Sequence, residues 1–280
     1  MSNDQQNSEA REKVSAFIIA KNEDDQIADC IASLKFCDEV LVIDSFSDDK
    51  TVEIAKQSGA QVYVHKWEGY KEQKAYALSL LKYDWTVNLD ADERVSNELR
   101  ENILHVLRTE YENKKNPQAG TEEIIGYFIN RVVYYLGRWW RKGGWYPEYR
   151  LRFFRKSKVV WGGINPHEKP IPQGKTERIE GEILHYTYDD MNDQLRRLVN
   201  YSLISAKEEF SRDKKVTVVK LLLSPFIRAF KFYVTKKGYR EGMAGLIVAI
   251  LEGYYTFIKY AQVWECELNS KQQGKHGEGS

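Results

Sequence analysis

Two aspartates one residue apart, Asp90 and Asp92, follow directly on the apolar run Trp85-Thr86-Val87-Asn88-Leu89. Carboxylates held a few ångströms apart repel by about 4 kcal/mol at an effective dielectric of ~20, so the pair needs a cation, a shared proton or open water. A hard divalent ion, Mg2+ or Mn2+, suits oxygen ligands of this kind. It takes one or two carboxylates and completes its shell with phosphate oxygens and water. The competing reading is structural: aspartate is common where a strand turns into a helix, and a helix is expected from near Ser96.

The run that carries the pair closes a series of alternating elements. Val14 to Ala20 is a continuous apolar stretch, as in a buried parallel strand, and it stops at Lys21-Asn22-Glu23-Asp24. Ile27, Cys30, Ile31 and Leu34 then recur at helical spacing. Glu39 to Ile43 predicts a second strand, halted by Asp44-Ser45-Phe46-Ser47-Asp48-Asp49, and a helix follows from Thr51, closed by Gly59. Gln61 to Val64 reads as a third strand, and Tyr70, Gln73, Lys74, Ala77 and Leu81 mark one helical face. This alternation predicts an α/β fold with a parallel, Rossmann-like sheet and right-handed crossovers. Asn22 and Glu23, Asp44, and the Asp90/Asp92 pair then end three strands on one edge, where open α/β sheets bind ligands. A nucleotide suits such a crevice, with Asp44 accepting from base or ribose and the aspartate pair holding metal-bound diphosphate.

Composition removes several alternatives. Lys and Arg total 42 against 41 Asp and Glu, a net charge of +1, which gives no global basis for nucleic-acid binding. No Gly-x-Gly-x-x-Gly follows the first strand, which disfavours a dinucleotide oxidoreductase. Cys30, Cys37 and Cys266 fall in no metal or redox spacing and read as reduced thiols of a cytosolic protein. The polar, charged first dozen residues do not read as a signal peptide.

Three pieces in order, Ile18-Ile19-Ala20-Lys21-Asn22-Glu23, Asp44-Ser45-Phe46-Ser47-Asp48-Asp49-Lys50-Thr51 and Asp90-Ala91-Asp92, make the sequence resemble family 2 glycosyltransferases of the GT-A fold. The resemblance implies a GT-A, mainly parallel sheet flanked by helices and an inverting, metal-dependent transfer from a nucleotide sugar, with UDP-glucose or a close relative as donor. Asn22, Glu23, Asp44, Lys74 and Asp90 would bind the nucleotide sugar, and Asp90 and Asp92 the metal. His185, which ends the run Ile183-Leu184-His185, reads first as a core histidine; the resemblance adds it as a further metal ligand. Attack opposite the departing diphosphate needs a carboxylate to take the acceptor's proton. Glu168, in Pro166-His167-Glu168, is the candidate, since a His-Glu recurs there in the branch resembling lipopolysaccharide-core glucosyltransferases. The acceptor implied is a lipopolysaccharide-core or other envelope glycan. A polyprenyl-phosphate sugar transferase and a catalytically idle nucleotide-sugar-binding scaffold are the rival readings.

The second half carries the acceptor expectations. Gly137 to Pro147 is dense in Trp, Arg and Gly; aromatic faces stack on sugars and guanidinium groups pair with phosphate, which makes Trp139, Trp140, Trp145 and Arg152 acceptor candidates. An aromatic cluster plugging a domain edge fits the same residues. Helical patterns follow over Asp193 to Phe210, Val216 to Phe232 and Gly242 to Ile258. Glu252 interrupts the last, so neither of the final two reads as a bilayer span. Their mix of Phe, Leu and Tyr with Lys231, Lys236, Lys237 and Arg240 favours peripheral attachment to the cytoplasmic membrane face over packing on the catalytic half or a homodimer contact. The expected organisation is a disordered tail over 1–12, a nucleotide-binding half over 13–109, an acceptor-binding half over 110–190, a helical region over 191–268 and a second tail over 269–280.

Overall fold

The computed structural model describes residues 10–116, 122–163, 169–212 and 215–277, the last seven of these as backbone only. Two compact units emerge: one formed by the chain up to residue 132 together with 148–185, the other by 133–147 together with the chain from 186 on.

In the first unit β1 (Val14–Ala20), β2 (Glu39–Asp44), β3 (Gln61–Val64) and β4 (Trp85–Asp90) pair in parallel in the order β3-β2-β1-β4. The helices α1 (Ile27–Ser33), α2 (Thr51–Gln57) and α3 (Tyr70–Leu80) connect them. Every residue of β1 is buried because both sheet faces are covered. Ala16 and Ile18 point to the face that holds Leu99, Ile103 and Leu107; Phe17 and Ile19 point to the face packed with Ala77 and Leu81. Register sets the working edge: Ala20 pairs with Asp44 and Ile19 with Asp90, so the two carboxylates flank the end of β1.

Beyond β4 the described strand pairs are antiparallel rather than parallel. The elements are β5 (Glu93–Val95), α4 (Asn97–Lys115), β6 (Ile124–Tyr135), β7 (Arg138–Trp139), β8 (Glu148–Arg155), β9 (Val159–Gly162), β10 (Lys169–Pro172) and β11 (Lys175–His185). β8 joins β4, and the main sheet runs β3-β2-β1-β4-β8-β6-β11-β5, while β9 and β10 form a separate ribbon. The expected nucleotide and acceptor halves therefore share one sheet rather than dividing near residue 110. Ser96 caps α4 by accepting from the Leu99 N–H at 3.2 Å, so Asp90 and Asp92 are not the cap of that helix.

Other differences follow from local chemistry. α4 continues through Lys115, past the expected start of the acceptor-binding half at residue 110, because Glu, Arg and Lys are good helix formers and Lys114 and Lys115 suit the helix's negative end. The expected tail is engaged at its inner end: Arg11 pairs with Asp38 at 2.7 Å and the Glu12 N–H donates to the Leu107 carbonyl at 3.0 Å.

The second unit contains the end of β6, the strand β7, and the helices α5 (Met191–Ser211), α6 (Val218–Phe230) and α7 (Met243–Gly277). α7 runs on past residue 269, where a second tail is expected. Asp190 caps α5 by accepting from the Asp193 N–H, and Thr217 caps α6 by accepting from the Lys220 N–H. Tyr135, Trp140, Phe232 and Val248 form this unit's core. Among the described residues no helix is long and apolar enough to cross a membrane.

Candidate active site

The site is built on the carboxyl ends of β1, β2 and β4. Asn22 takes a left-handed conformation, φ 56°, which asparagine tolerates better than most side chains. That turn brings its N–H to the Ser47 Oγ at 2.9 Å and its Oδ1 to the Asp48 N–H at 3.0 Å. The Glu23 N–H donates to the Thr51 Oγ1 at 2.8 Å. Asn22 and Glu23 thus lock the first loop to the second. Asp44 is 1 % exposed, and its two oxygens accept from the Ser47 N–H at 2.9 Å and the Ser47 hydroxyl at 2.5 Å. It organises the loop in which the sequence places it as a nucleoside reader. At the loop's tip Phe46 is left 64 % exposed at φ 59°, a conformation that a bulky side chain rarely adopts. Sequence reasoning passed over Phe46; its only signal is its place inside the Asp-Ser-x-Ser stretch.

Lys74 comes from α3, whose start at Gly69 requires φ 136°. Its Nζ lies 3.7 Å from the Asp90 Oδ1 and 5.2 Å from the centre of the Trp161 ring. One residue earlier, wholly buried Gln73 donates its Nε2–H to the Ser45 Oγ at 2.9 Å and its Oε1 accepts from the His65 Nδ1 at 2.6 Å, tying α3 to the loop after β2. Lys74 and Asp90, both expected at the nucleotide sugar, are therefore neighbours.

Arg152 is the principal reassignment. The sequence places it with the acceptor, but β8 pairs beside β4, with Phe153 opposite Val87, and this inserts the guanidinium under the aspartate. It donates to the Asp90 Oδ2 at 2.6 Å, the Glu93 Oε1 at 2.9 Å and the Asn88 Oδ1 at 2.8 Å. Glu93, fully buried, also accepts from Arg131 at 3.2 Å and from the Asp90 backbone N–H at 2.9 Å. Arg131 in turn grips Glu148 at 2.7 Å. Burial works against a charged Asp90, but the Arg152 guanidinium and the Lys74 ammonium outweigh it and hold the carboxyl well below the usual carboxylate range. Burial likewise opposes the charge on Arg152, yet Asp90 and Glu93 keep it firmly protonated. Removing one member of such a buried pair costs about 3–5 kcal/mol, because the other is left without compensation. Glu93, Arg131 and Glu148 were not legible as site residues, since their pairing depends on strands far apart in the chain.

Asp92 has a different partner. The His185 Nε2 lies 3.2 Å from its Oδ2, and His185 sits opposite Glu93 in the β11–β5 register. Among the described residues no three His, Cys, Asp or Glu side chains stand close enough together to hold a metal by themselves. The expected set of Asp90, Asp92 and His185 is thus not assembled: Arg152 draws Asp90 one way and His185 holds Asp92 another. Two partly exposed carboxylates remain at the strand end, which fits an ion that takes part of its shell from substrate phosphates.

The remaining expectations divide. Trp139, Trp140 and Trp145 belong to the second unit. Trp140 is fully buried and donates its Nε1–H to the Tyr135 carbonyl at 3.1 Å, so it is core and presents nothing to an acceptor. Trp139 is half-buried with the Arg141 guanidinium 5.6 Å from its ring centre, and Trp145 is half-buried 4.7 Å from the Trp140 ring. Glu168 lies outside the described residues.

Comparison with known proteins bears on this geometry. Residues 15–114 match the family model described as glycosyl transferase family 2. The lipopolysaccharide core biosynthesis glycosyltransferase LpsC of Rhizobium meliloti (strain 1021) is 29% identical over 259 residues, covering 90% of this chain and 92% of that protein. The glycosyltransferase RT0209 of Rickettsia typhi is 29% identical over 271 residues, covering 92% and 89%. Among solved structures, glucosyl-3-phosphoglycerate synthase from Mycobacterium tuberculosis, in complex with Mn2+, uridine diphosphate and glucosyl-3-phosphoglycerate, is 21% identical with a TM-score of 0.32. That match covers 44% of each chain, so this chain spans less than half of that structure's length.

Proposed function

From the premise that this chain is a glycosyltransferase whose residues 15–114 form a family 2 domain, we propose that it moves a hexose, glucose first among the candidates, from a UDP-linked donor to a lipopolysaccharide-core or other cell-envelope glycan with inversion at the anomeric carbon. The observation that carries the reading is the pair Asp90 and Asp92 at the end of β4, with Lys74 and Arg152 directed at the first and His185 at the second. The likeness to LpsC supports the envelope-glycan acceptor.

Asp90 and Asp92 would hold a divalent ion, Mg2+ or Mn2+, which when bound offsets the charge that grows on the departing diphosphate. Lys74 is a cation placed beside Asp90, where it can meet a phosphate oxygen. Arg152 and His185 fix the two aspartates, so that little reorganisation is needed when the donor arrives. Phe46 offers an exposed ring above the loop that Asp44 braces, suited to stacking on a base. Glu168 would accept the proton of the acceptor hydroxyl as that oxygen attacks from the face opposite the diphosphate.

A donor panel tests this. The purified protein is incubated with several nucleotide sugars and Mn2+ or Mg2+, and free nucleoside diphosphate is measured. Slow, metal-dependent release from a UDP-hexose, abolished by Asp92→Ala, is the expected result. Folded protein that binds a nucleotide sugar but releases no nucleoside diphosphate would leave the scaffold reading in its place.

A further inference from the structure

α6 is turned inside out. A helix packed on a protein normally buries its large apolar side chains and shows polar ones to water. Here Val219, Leu222, Leu223, Phe226, Ile227 and Phe230, which recur at i, i+3, i+4, i+7, i+8 and i+11, are all solvent-exposed, Phe226 to 74 %. The opposite side of the helix approaches α7 closely at one point. A Cβ added at Gly253 of α7 would lie 2.9 Å from the Pro225 carbonyl oxygen and 3.4 Å from the Ala229 Cβ, so the two helices meet through their smallest residues. Arg228 and Glu252 pair across the same contact at 2.7 Å and pin the rotation of α6. The outward stripe is therefore held there by packing, and α7 adds exposed Met243 and Ile250. Apolar exposure on this scale marks an interaction surface.

The charge around the stripe identifies what covers it. Between residues 215 and 242 the chain carries Lys215, Lys220, Arg228, Lys231, Lys236, Lys237 and Arg240 against a single acid, Glu241, a net +6 in a chain whose total is +1. Glu241 is buried, holding the Lys142 N–H at 2.7 Å, whereas Lys231, Lys236, Lys237 and Arg240 are exposed. A second copy of the chain docking through the same face would set +6 against +6. A protein partner with an acidic rim would satisfy the charge but leave the continuous aliphatic and aromatic stripe without a reason to be this regular. An anionic bilayer answers both features, since its acyl boundary takes the apolar face and its headgroups take the cations. α6 runs on as a π-helical turn over Lys231–Thr235, and no described helix is long and apolar enough to cross a membrane, so the helix would lie in the plane of the interface.

We propose that the outward face of α6, rimmed by Lys231, Lys236, Lys237 and Arg240, is a membrane-docking surface for bilayers rich in anionic lipid. This assignment stands on the second unit alone and does not require the transferase reading.

Flotation of the full chain with lipid vesicles tests it, using vesicles that contain no glycan acceptor and no nucleotide sugar. The expected result is capture by vesicles in which about a third of the lipid is anionic, with little capture by neutral ones and release by salt. Phe226→Ser combined with Ile227→Ser should weaken capture at least about tenfold, as should Lys236→Glu combined with Lys237→Glu, with thermal unfolding unchanged because all four side chains are exposed. Absence of wild-type capture by anionic vesicles, or capture indifferent to both double variants, would overturn the proposal. So would a dimer in light scattering that Phe226→Ser with Ile227→Ser dissolves, since the face would then belong to a second copy.

Discussion

The two compact units break the ordinary rule of apolar inside and charge outside in opposite directions. The first unit takes charge in: Glu93 and Arg152 are buried, linked to Arg131 and Glu148, and the assembly ends at Asp90, one of the two partly exposed carboxylates at the strand edge. The second unit puts apolar surface out: beside its core of Trp140, Tyr135 and Phe232, α6 carries a further row of large side chains left exposed among the described residues. Buried charge and exposed apolar patches are the informative departures from average burial. On the readings proposed above, the departure in the first unit serves a reacting site and that in the second a contact with a membrane.

The sharpest way to break the contrast is to attack the buried charges. Glu93→Ala should lower unfolding free energy by about 3–5 kcal/mol in urea denaturation, since Arg152 and Arg131 lose a common acceptor inside the fold. An unchanged midpoint would mean that the network adds nothing to the first unit's stability. Asp92→Ala separates stability from chemistry. Transfer should fall by about 10²–10³, equivalent to roughly 2.7–4 kcal/mol of transition-state stabilisation, while the urea midpoint moves little because Asp92 is partly exposed and bonded to His185. Equal losses of both would reduce Asp92 to a structural residue.

A smaller effect tests where the first unit begins. Burial opposes ionisation of Asp38, but Lys13, the Val14 N–H and Arg11 outweigh it and hold its carboxyl below the usual value. A carboxylate lowered on folding contributes stability that is fully present above its ordinary range and is lost as pH falls through the lowered value. Arg11→Ala should cost about 0.5–1 kcal/mol at neutral pH, and the difference from wild type should shrink in acid. A pH-independent difference would place Arg11 outside the pairing and return residue 11 to the tail.

What the sequence revealed and what it hid follow from the range of the interactions. β1, β2 and β4 were legible because strands with both faces largely covered read as apolar runs, and Asp90, Asp92 and Lys74 could be singled out because each stands at a strand end or on a helical face near its own strand. Arg152 was misplaced because only the antiparallel pairing of β8 with β4 brings it to Asp90, and no local period encodes that neighbour. The strands β5, β7, β9 and β10, two to four residues each, are too short to display a period. Trp140 shows the limit of composition: the same residue type suits a sugar platform and a core, and only its complete burial decides.

α6 extends that lesson to a whole helix, and the smallest predicted effect tests it. Periodicity finds a stripe but not the direction it faces, and a stripe of Leu, Phe and Ile would ordinarily be assigned to the core. Leu223→Ser should therefore change unfolding free energy by no more than about 0.5 kcal/mol, as expected for an exposed position away from structural features. Leu99→Ala, at a fully buried leucine of α4, should cost about 2–5 kcal/mol in the same assay. The pair reads the orientation of α6 directly, because an inward-facing Leu223 would lose packing as Leu99 does. A Leu223→Ser cost approaching that of Leu99→Ala would show that α6 buries its apolar face in solution, and the second unit would then obey the same burial rule as any ordinary helical core.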